Sequence, residues 1–275
     1  MRSQPVIFTD LDGTLLDAKT YAFTAALPAL ELVKAEGIPL VFCTSKTRVE
    51  IEHWRARLEN PHPFISENGG AVFVPPSYFQ AEDMDAAWSR RETVAGYSVL
   101  VLGTPYVLLR KALEELRVMG FDVRGFGDMD AQEVSEITGL RLEEANLAKR
   151  REFDEPFVYS GDPAGFGALL DSLREKGLRY AKGRLCHLTG DNDKGKAVEI
   201  LRGLYERKFG SVFTIALGDS PVDFPMLEKV DYPVLVRNHK GEHEPGIVLP
   251  SLLRTDEIGP EGWNKALLDL IQNRM

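Results

Sequence analysis

Residues 6–15, VIFTDLDGTL, run from an apolar, strand-like stretch into two carboxylates, Asp10 and Asp12, with a glycine directly behind them. An Asp-Gly pair after a strand is by itself only an acidic turn. A carboxylate at the carboxyl end of a strand in a parallel sheet, however, stands where such sheets gather their ligands. Whether it has that role depends on what the rest of the chain brings to the same edge.

Outward from this segment, the first third alternates strand-like and helix-like stretches. Val6 to Thr9 reads as a strand, and Thr20 to Ala35 as a helix with Leu27, Leu30 and Val33 on one apolar stripe, ended by Gly37. Ile38 to Cys43 is a second apolar run, followed by polar Thr44-Ser45-Lys46 and a mixed helix from Thr47 to Leu58. Such alternation implies a parallel sheet covered by helices. From Pro61 the pattern changes. Short strands at 64–66 and 71–74 surround Glu67-Asn68-Gly69-Gly70, and a strand is expected at 97–102. Helices are expected from Pro105 to Met119, between Asp130 and Gly139, and from Pro163 to Lys176, with a strand at 157–159 and a hairpin over 178–188. The alternation resumes with a helix from Lys194 to Lys208, a buried strand at 212–217, a short helix at 221–229, a last clear strand at 232–236 and a terminal helix opened by Pro260. The expected fold class is α/β, with a Rossmann-like parallel core in two parts, 1–82 and 188–275, interrupted by an inserted α+β domain at 83–187.

The 275 residues carry 33 Lys and Arg against 42 Asp and Glu, a formal charge of −9, which gives no support for nucleic-acid binding. The two cysteines, Cys43 and Cys186, provide neither a disulfide framework nor a cysteine zinc site, and Cys43 in PLVFCTS reads as a small core residue. The amino terminus lacks a secretory apolar region and no apolar stretch approaches membrane-spanning length. A cytoplasmic protein without a membrane partner is expected, with monomer and homodimer both open.

Three polar groups terminate apolar strands: Asp10/Asp12, Thr44/Ser45, and Asp219/Asp223 in LGDSPVD. A fourth, Asn192-Asp193-Lys194-Gly195-Lys196, precedes a helix. A doubly wound sheet can bring all four together. Mg²⁺ takes hard oxygen ligands and shares them with substrate phosphate, so Asp10 and Asp219 are the expected direct ligands, with Asp223 binding directly or through water. A carboxylate such as Asp10 can attack phosphorus and form an aspartyl phosphate. Asp12, two residues on, is placed to protonate the leaving group and then to deprotonate the attacking water. Thr44 or Ser45 can donate hydrogen bonds to phosphoryl oxygen, and Lys194 or Lys196 can supply positive charge. Read one at a time, these residues are equally good helix caps and surface charges. Their joint order is what points to phosphoryl chemistry.

On these residues the chain resembles the haloacid dehalogenase superfamily over nearly its full length. DLDGT at 10–14 looks like its nucleophile motif, Thr44 in CTSKT its phosphate-binding residue, Lys194 in NDKGK its lysine, and GDSPVD its terminal carboxylates. The resemblance implies a HAD-like Rossmannoid core and assigns catalysis to Asp10, Asp12, Thr44 and Lys194. It also implies magnesium among Asp10, the backbone carbonyl of Asp12, Asp219 and Asp223.

The insertion resembles the larger α+β caps of sugar phosphatases in this superfamily. SENGG at 66–70, GFGDMD at 125–130, EITGL at 136–140 and AKRREFDEPF at 148–157 look like its mannosyl-3-phosphoglycerate branch, which makes compatible solutes. The implied substrate is a phosphorylated sugar-glycerate, whose carboxylate suits Arg150 or Arg151 in the basic run 149–151. Ser45, Glu67, Asn68, Gly69 and His187 are the other expected substrate contacts. Asp128 and Asp130 are further sugar-binding candidates, Asp130 being equally well placed to cap the following helix. The alternatives are a phosphatase for the glucosyl analogue or another sugar phosphate, a phosphomutase, which would isomerise its substrate without net phosphate release, and a noncatalytic phosphosugar sensor, against which the intact acidic set argues.

Overall fold

The computed structural model describes residues 3–80, 83, 88, 92–183 and 185–273. Nine strands form one sheet, in the spatial order Leu253–Ile258, Tyr232–Arg237, Val212–Gly218, Gln4–Thr9, Leu40–Cys43, Phe64–Ser66, Ala71–Val74, Tyr97–Val101 and Glu92–Val94. The first six are parallel, and the rest extend the sheet antiparallel. Gln4–Thr9 lies inside the sheet and is buried from Pro5 onward. The chain leaves it toward Leu40–Cys43 on one side and returns as Val212–Gly218 on the other, so the strand order reverses beside it. Such a switch point opens a crevice at the strands' carboxyl ends, which is where Asp10 stands.

Successive side chains of a strand point to opposite faces, and helices on both faces demand apolar residues at every position. Ile7 therefore packs with Ala29, Val33, Trp263, Leu267 and Ile271 from helices Leu27–Ala35 and Gly259–Gln272. Val6 and Phe8 pack on the other face with Val198, Leu201 and Tyr205 of helix Lys194–Phe209. The Trp263 indole N–H donates to the Thr9 hydroxyl at 2.9 Å, fixing the strand's last residue before the carboxylate.

A second, antiparallel sheet is made of Val123–Gly125, Glu155–Tyr159, Cys186–Thr189 and Arg179–Lys182. Helices Tyr106–Val118 and Pro163–Glu175 cover it through Leu109, Leu113, Leu116, Leu169 and Leu173. Helices Ala131–Thr138 and Leu142–Ala148 close a smaller cluster around Phe126 and Met129. Asp130 caps the first of these, accepting from the Glu133 N–H at 2.9 Å. This is the expected α+β insertion.

Its expected start differs from the pairing. Residue 82 lies outside the described residues, but the hairpin Glu92–Val94/Tyr97–Val101, which the 83–187 division gives to the insertion, pairs into the nine-stranded sheet. The run YSVLVL announces a strand and says nothing of which sheet it joins. We propose that the insertion spans about 103–190, because the Gly103 N–H still donates to Gly70 at 2.8 Å and helix Tyr106–Val118 belongs to the second sheet. A strand also follows the one expected as the last: Leu253–Ile258 forms the opposite edge. Of its LRTDEI residues only Thr255 is buried, so it lacks the apolar run that marks the central strands. Among the described residues no helix is long and apolar enough to cross a membrane.

Candidate active site

Asp10 follows the central strand, its N–H donating to the Leu217 carbonyl at 2.9 Å, so the ladder carries it to the sheet's edge beside Gly218 and Asp219. The chain then turns sharply: the Gly13 N–H donates to Leu16 at 2.8 Å and the Leu16 N–H to Leu11 at 2.8 Å. Gly13 has φ +85°, and a Cβ there would lie 2.7 Å from Asp219 Oδ2, so both conformation and space require glycine. The Thr14 hydroxyl donates to Asp219 Oδ1 at 3.2 Å. The DLDGT turn thereby seats a carboxylate 205 positions away.

The same edge receives Lys194. It opens helix Lys194–Phe209, which Asp193 caps by accepting from the Lys196 N–H at 2.9 Å. Its ammonium donates to Asp10 Oδ1 at 2.7 Å and to Asp223 Oδ1 at 2.6 Å, and the side chain is fully buried. Asp223 Oδ2 accepts from the Asp219 and Ser220 N–H groups at 3.1 and 3.0 Å and from the Ser220 hydroxyl at 2.8 Å. Lys196 instead sits half-exposed against Asp191, 2.9 Å away. Of the two lysines left open by the residues alone, the fold turns Lys194 inward.

Asp10, Asp219 and Asp223 each offer an oxygen within 4.8 Å of the others. Three carboxylates facing one lysine leave excess negative charge in a buried place, and a hard, all-oxygen donor set of this size suits a small divalent cation. Burial pushes the Asp10 carboxyl up to about 7, Lys194 pulling it down while Asp223 adds to the rise. Asp219 is driven upward as well, by burial and then by Asp223 and Asp10. Burial would strip Lys194 of its proton, but Asp10 and Asp223 outweigh it and hold its pKa above the usual lysine value. A divalent cation bound there is therefore expected to stabilise the fold, by about 2.7 kcal/mol at a hundredfold excess over its Kd. Asp219→Asn should raise the melting temperature in EDTA and abolish most of the cation's increment, as calorimetry with and without a divalent cation would check.

The Asp12 carboxylate lies outside this cluster. Its Oδ2 pairs with Lys46 Nζ at 2.8 Å, and Oδ1 is buried without a hydrogen bond among the described residues. Thr44 is buried at the adjoining strand end. Its N–H donates to Ile65 at 3.2 Å and its carbonyl accepts from the Asn68 N–H at 3.1 Å, leaving the hydroxyl proton uncommitted to either bond. Ser45 is partly exposed beside it, its carbonyl taking a bond from Arg151 Nη1 at 2.7 Å.

The expected substrate contacts divide. Glu67, buried at φ +47°, accepts from the Glu152 N–H at 3.0 and 3.1 Å and the Phe153 N–H at 2.8 Å, tying the inserted domain to the core. Burial pushes its carboxyl up to about 8, against Arg151 and these donors. Gly69, at φ +87°, lets Asp193 approach so closely that a Cβ would stand 2.1 Å from the Asp193 carbonyl oxygen. Asn68 donates to Asp154 Oδ2 at 2.9 Å, and His187 Nδ1 meets the same oxygen at 2.8 Å. Arg151 is buried between Ala148 and Ser45, whereas Arg150 is exposed and forms no ion pair among the described residues. Asp128 is held by Arg110, with one bond at 3.0 Å. Asn68, Arg179, Lys182, Asn192 and Lys194 line a cleft of about 320 Å³ between the insertion and the core.

Lys46 and Thr14 join the site without a role of their own in the sequence reading, and Asn192 joins it as one of the expected group 192–196. Lys46 has a signal in its spacing, two positions beyond Thr44, and the Asn192 amide donates to Asn68 O at 3.2 Å.

A family model described as haloacid dehalogenase-like hydrolase matches residues 7–87. The chain is 48% identical to a glucosyl-3-phosphoglycerate/mannosyl-3-phosphoglycerate phosphatase of Methanococcoides burtonii, over 97% of each chain. It is 35% identical to a mannosyl-3-phosphoglycerate phosphatase of Pyrococcus horikoshii, over 86% of this chain and 91% of that one. The fold is shared with a crystal structure from Thermoplasma acidophilum at a TM-score of 0.68 and 16% identity, covering 98% of this chain and 99% of the other.

Proposed function

The chain belongs to the haloacid dehalogenase-like hydrolase family, and from that premise we propose that it removes the phosphate of mannosyl-3-phosphoglycerate, and of its glucosyl counterpart, through an aspartyl phosphate at Asp10. The observation that carries this reading is Asp10 clasped by Lys194 beside the acidic cluster, in a chain so similar to phosphatases of these two esters.

A carboxylate oxygen of Asp10 attacks phosphorus while the bond from phosphorus to the glycerate C3 oxygen breaks, and Asp12 delivers a proton to that oxygen. Water then attacks the aspartyl phosphate, Asp12 takes its proton, and phosphate leaves with Asp10 regenerated. Lys194 and the Thr44 hydroxyl stabilise the charge that builds on the phosphoryl oxygens. A divalent cation, magnesium in our reading, would be held by Asp10 and Asp219 with Asp223 and the Asp12 carbonyl, and supplies charge that offsets repulsion between carboxylate and phosphate. The sugar and glycerate would lie in the 320 Å³ cleft, where Arg179 and Lys182 offer cations to the carboxylate. Arg150, Ser45 and Asn68 stay in our substrate set. Glu67 and Arg151 are better read as holding the insertion on the core, Gly69 as admitting the close approach of Asp193, and His187 as the partner of Asp154 within the insertion.

Phosphate release measured in parallel tests the assignment. kcat/KM for the two glycosyl phosphoglycerates should exceed that for hexose phosphates by about 100-fold, and the reverse order would overturn it. Asp12→Asn should lower kcat on these alkyl esters by about 10³-fold, within the range that a positioned proton donor supplies. The burst of phenolate from p-nitrophenyl phosphate, whose leaving group needs no acid, should survive.

A further inference from the structure

Lys46 occupies a cage assembled from both domains. Its ammonium is 2.8 Å from Asp12 Oδ2, 3.8 Å from Glu50 Oε1 and 5.1 Å from the centre of the Tyr21 ring, and its side chain is only 5% exposed. Glu50 is itself fixed, accepting at Oε2 from the Thr47 N–H and hydroxyl at 2.8 and 2.9 Å. The insertion grips the same short segment. The Thr47 hydroxyl also lies 3.1 Å from the Leu147 carbonyl, Arg151 donates to Ser45 O at 2.7 Å, and Arg151 Nη2 stands 4.0 Å from Glu50. Leu140, Glu144 and Leu147 wall the void beside Lys46, which has room for only about 10 Å³.

We propose that Lys46 is a positioning residue: by holding Oδ2 it fixes the orientation of the Asp12 carboxylate for its proton exchange, and docking of the insertion completes the cage that keeps it there. A carboxylate on a freely rotating χ2 would spread its proton-accepting directions, whereas a clamp on Oδ2 fixes the plane of the group. The inference rests on the assignment of Asp12 as acid and base, and it adds a physical link from domain docking to chemistry: the segment 45–50 touches the insertion on one side and Asp12 on the other.

The test separates alkyl from aryl leaving groups at saturating magnesium. Lys46→Met should lower kcat on an alkyl phosphomonoester by about 100-fold, with KM and the p-nitrophenolate burst each within about threefold of wild type. Lys46→Arg, which restores a cation to Asp12, should recover at least about a tenth of the lost activity. Lys46→Gln, keeping a donor without the charge, carries the same comparison if the methionine variant does not fold. Equal losses in the alkyl kcat and in the p-nitrophenolate burst, a change in KM alone, or an arginine variant no better than methionine would each overturn the proposal. The alkyl ester is whichever the wild type hydrolyses fastest. A wild type that turns over another alkyl phosphate but neither glycosyl phosphoglycerate therefore defeats the substrate assignment and leaves the Lys46 comparison intact. A wild type inactive on every alkyl ester defeats both.

Discussion

Asp10→Asn is expected to reduce turnover to background, a loss of about 10⁵-fold or more. The amide is nearly the size of the carboxylate and can still meet Lys194, which now lies 2.7 Å from Asp10 Oδ1, so the fold should survive. It is no nucleophile, and accelerations of about 10⁶-fold and above that enzymes provide depend here on that attack. Acid quenching of wild type mixed with labelled substrate should trap phosphate on the protein, and the asparagine variant should trap none. Turnover at the per cent level in the variant would place the nucleophile elsewhere.

Lys194→Met should be the most damaging single change to stability, and it should cost rate as well. Wild type buries Asp10 and Asp223 at 2.7 and 2.6 Å from one ammonium; methionine keeps the bulk and removes the charge. Stripping one partner from a buried ion pair typically costs about 3–5 kcal/mol, because the remaining charge is left in a poor dielectric. The loss should be largest in EDTA and smaller in magnesium, since a cation among the three carboxylates replaces part of the missing charge. Urea titrations under the two conditions measure the difference. A loss unaffected by magnesium would show that the acidic cluster does not bind the ion. Phosphate release should fall to near background in both, because the charge that orients Asp10 and stabilises the phosphoryl oxygens is gone.

Much of the core is legible in the sequence alone. Parallel strands covered on both faces need unbroken apolar residues, and VIF, PLVFC and TIAL show them, so Asp10, Thr44 and Asp219 could be read as strand-end residues. Edge strands were harder. Leu253–Ile258 pairs on one side only and has a single buried residue, and the hairpin at 92–101 looks the same in sequence whichever sheet it extends. The substrate contacts were harder again. Glu67 and Gly69 have the composition of a binding loop, yet the first is consumed by the Glu152 and Phe153 N–H groups and the second by close packing against Asp193. Both uses depend on what the insertion and a distant helix bring to the loop.

The sequence by itself determined the chemistry and its order along the chain: a strand-end carboxylate pair, a hydroxyl, a lysine and a terminal acidic pair, each at a break in apolar periodicity. Periodicity is a local property, written residue by residue. Only the tertiary structure decided which groups meet. Lys194 and Lys196 lie two positions apart, about 200° around a helix, so one reaches Asp10 and Asp223 while the other reaches Asp191. Asp10 and Asp12 likewise diverge, the first to Lys194 and the carboxylate cluster, the second to Lys46, because the turn at Gly13 and the docking of the insertion set where each side chain finds its counter-charge.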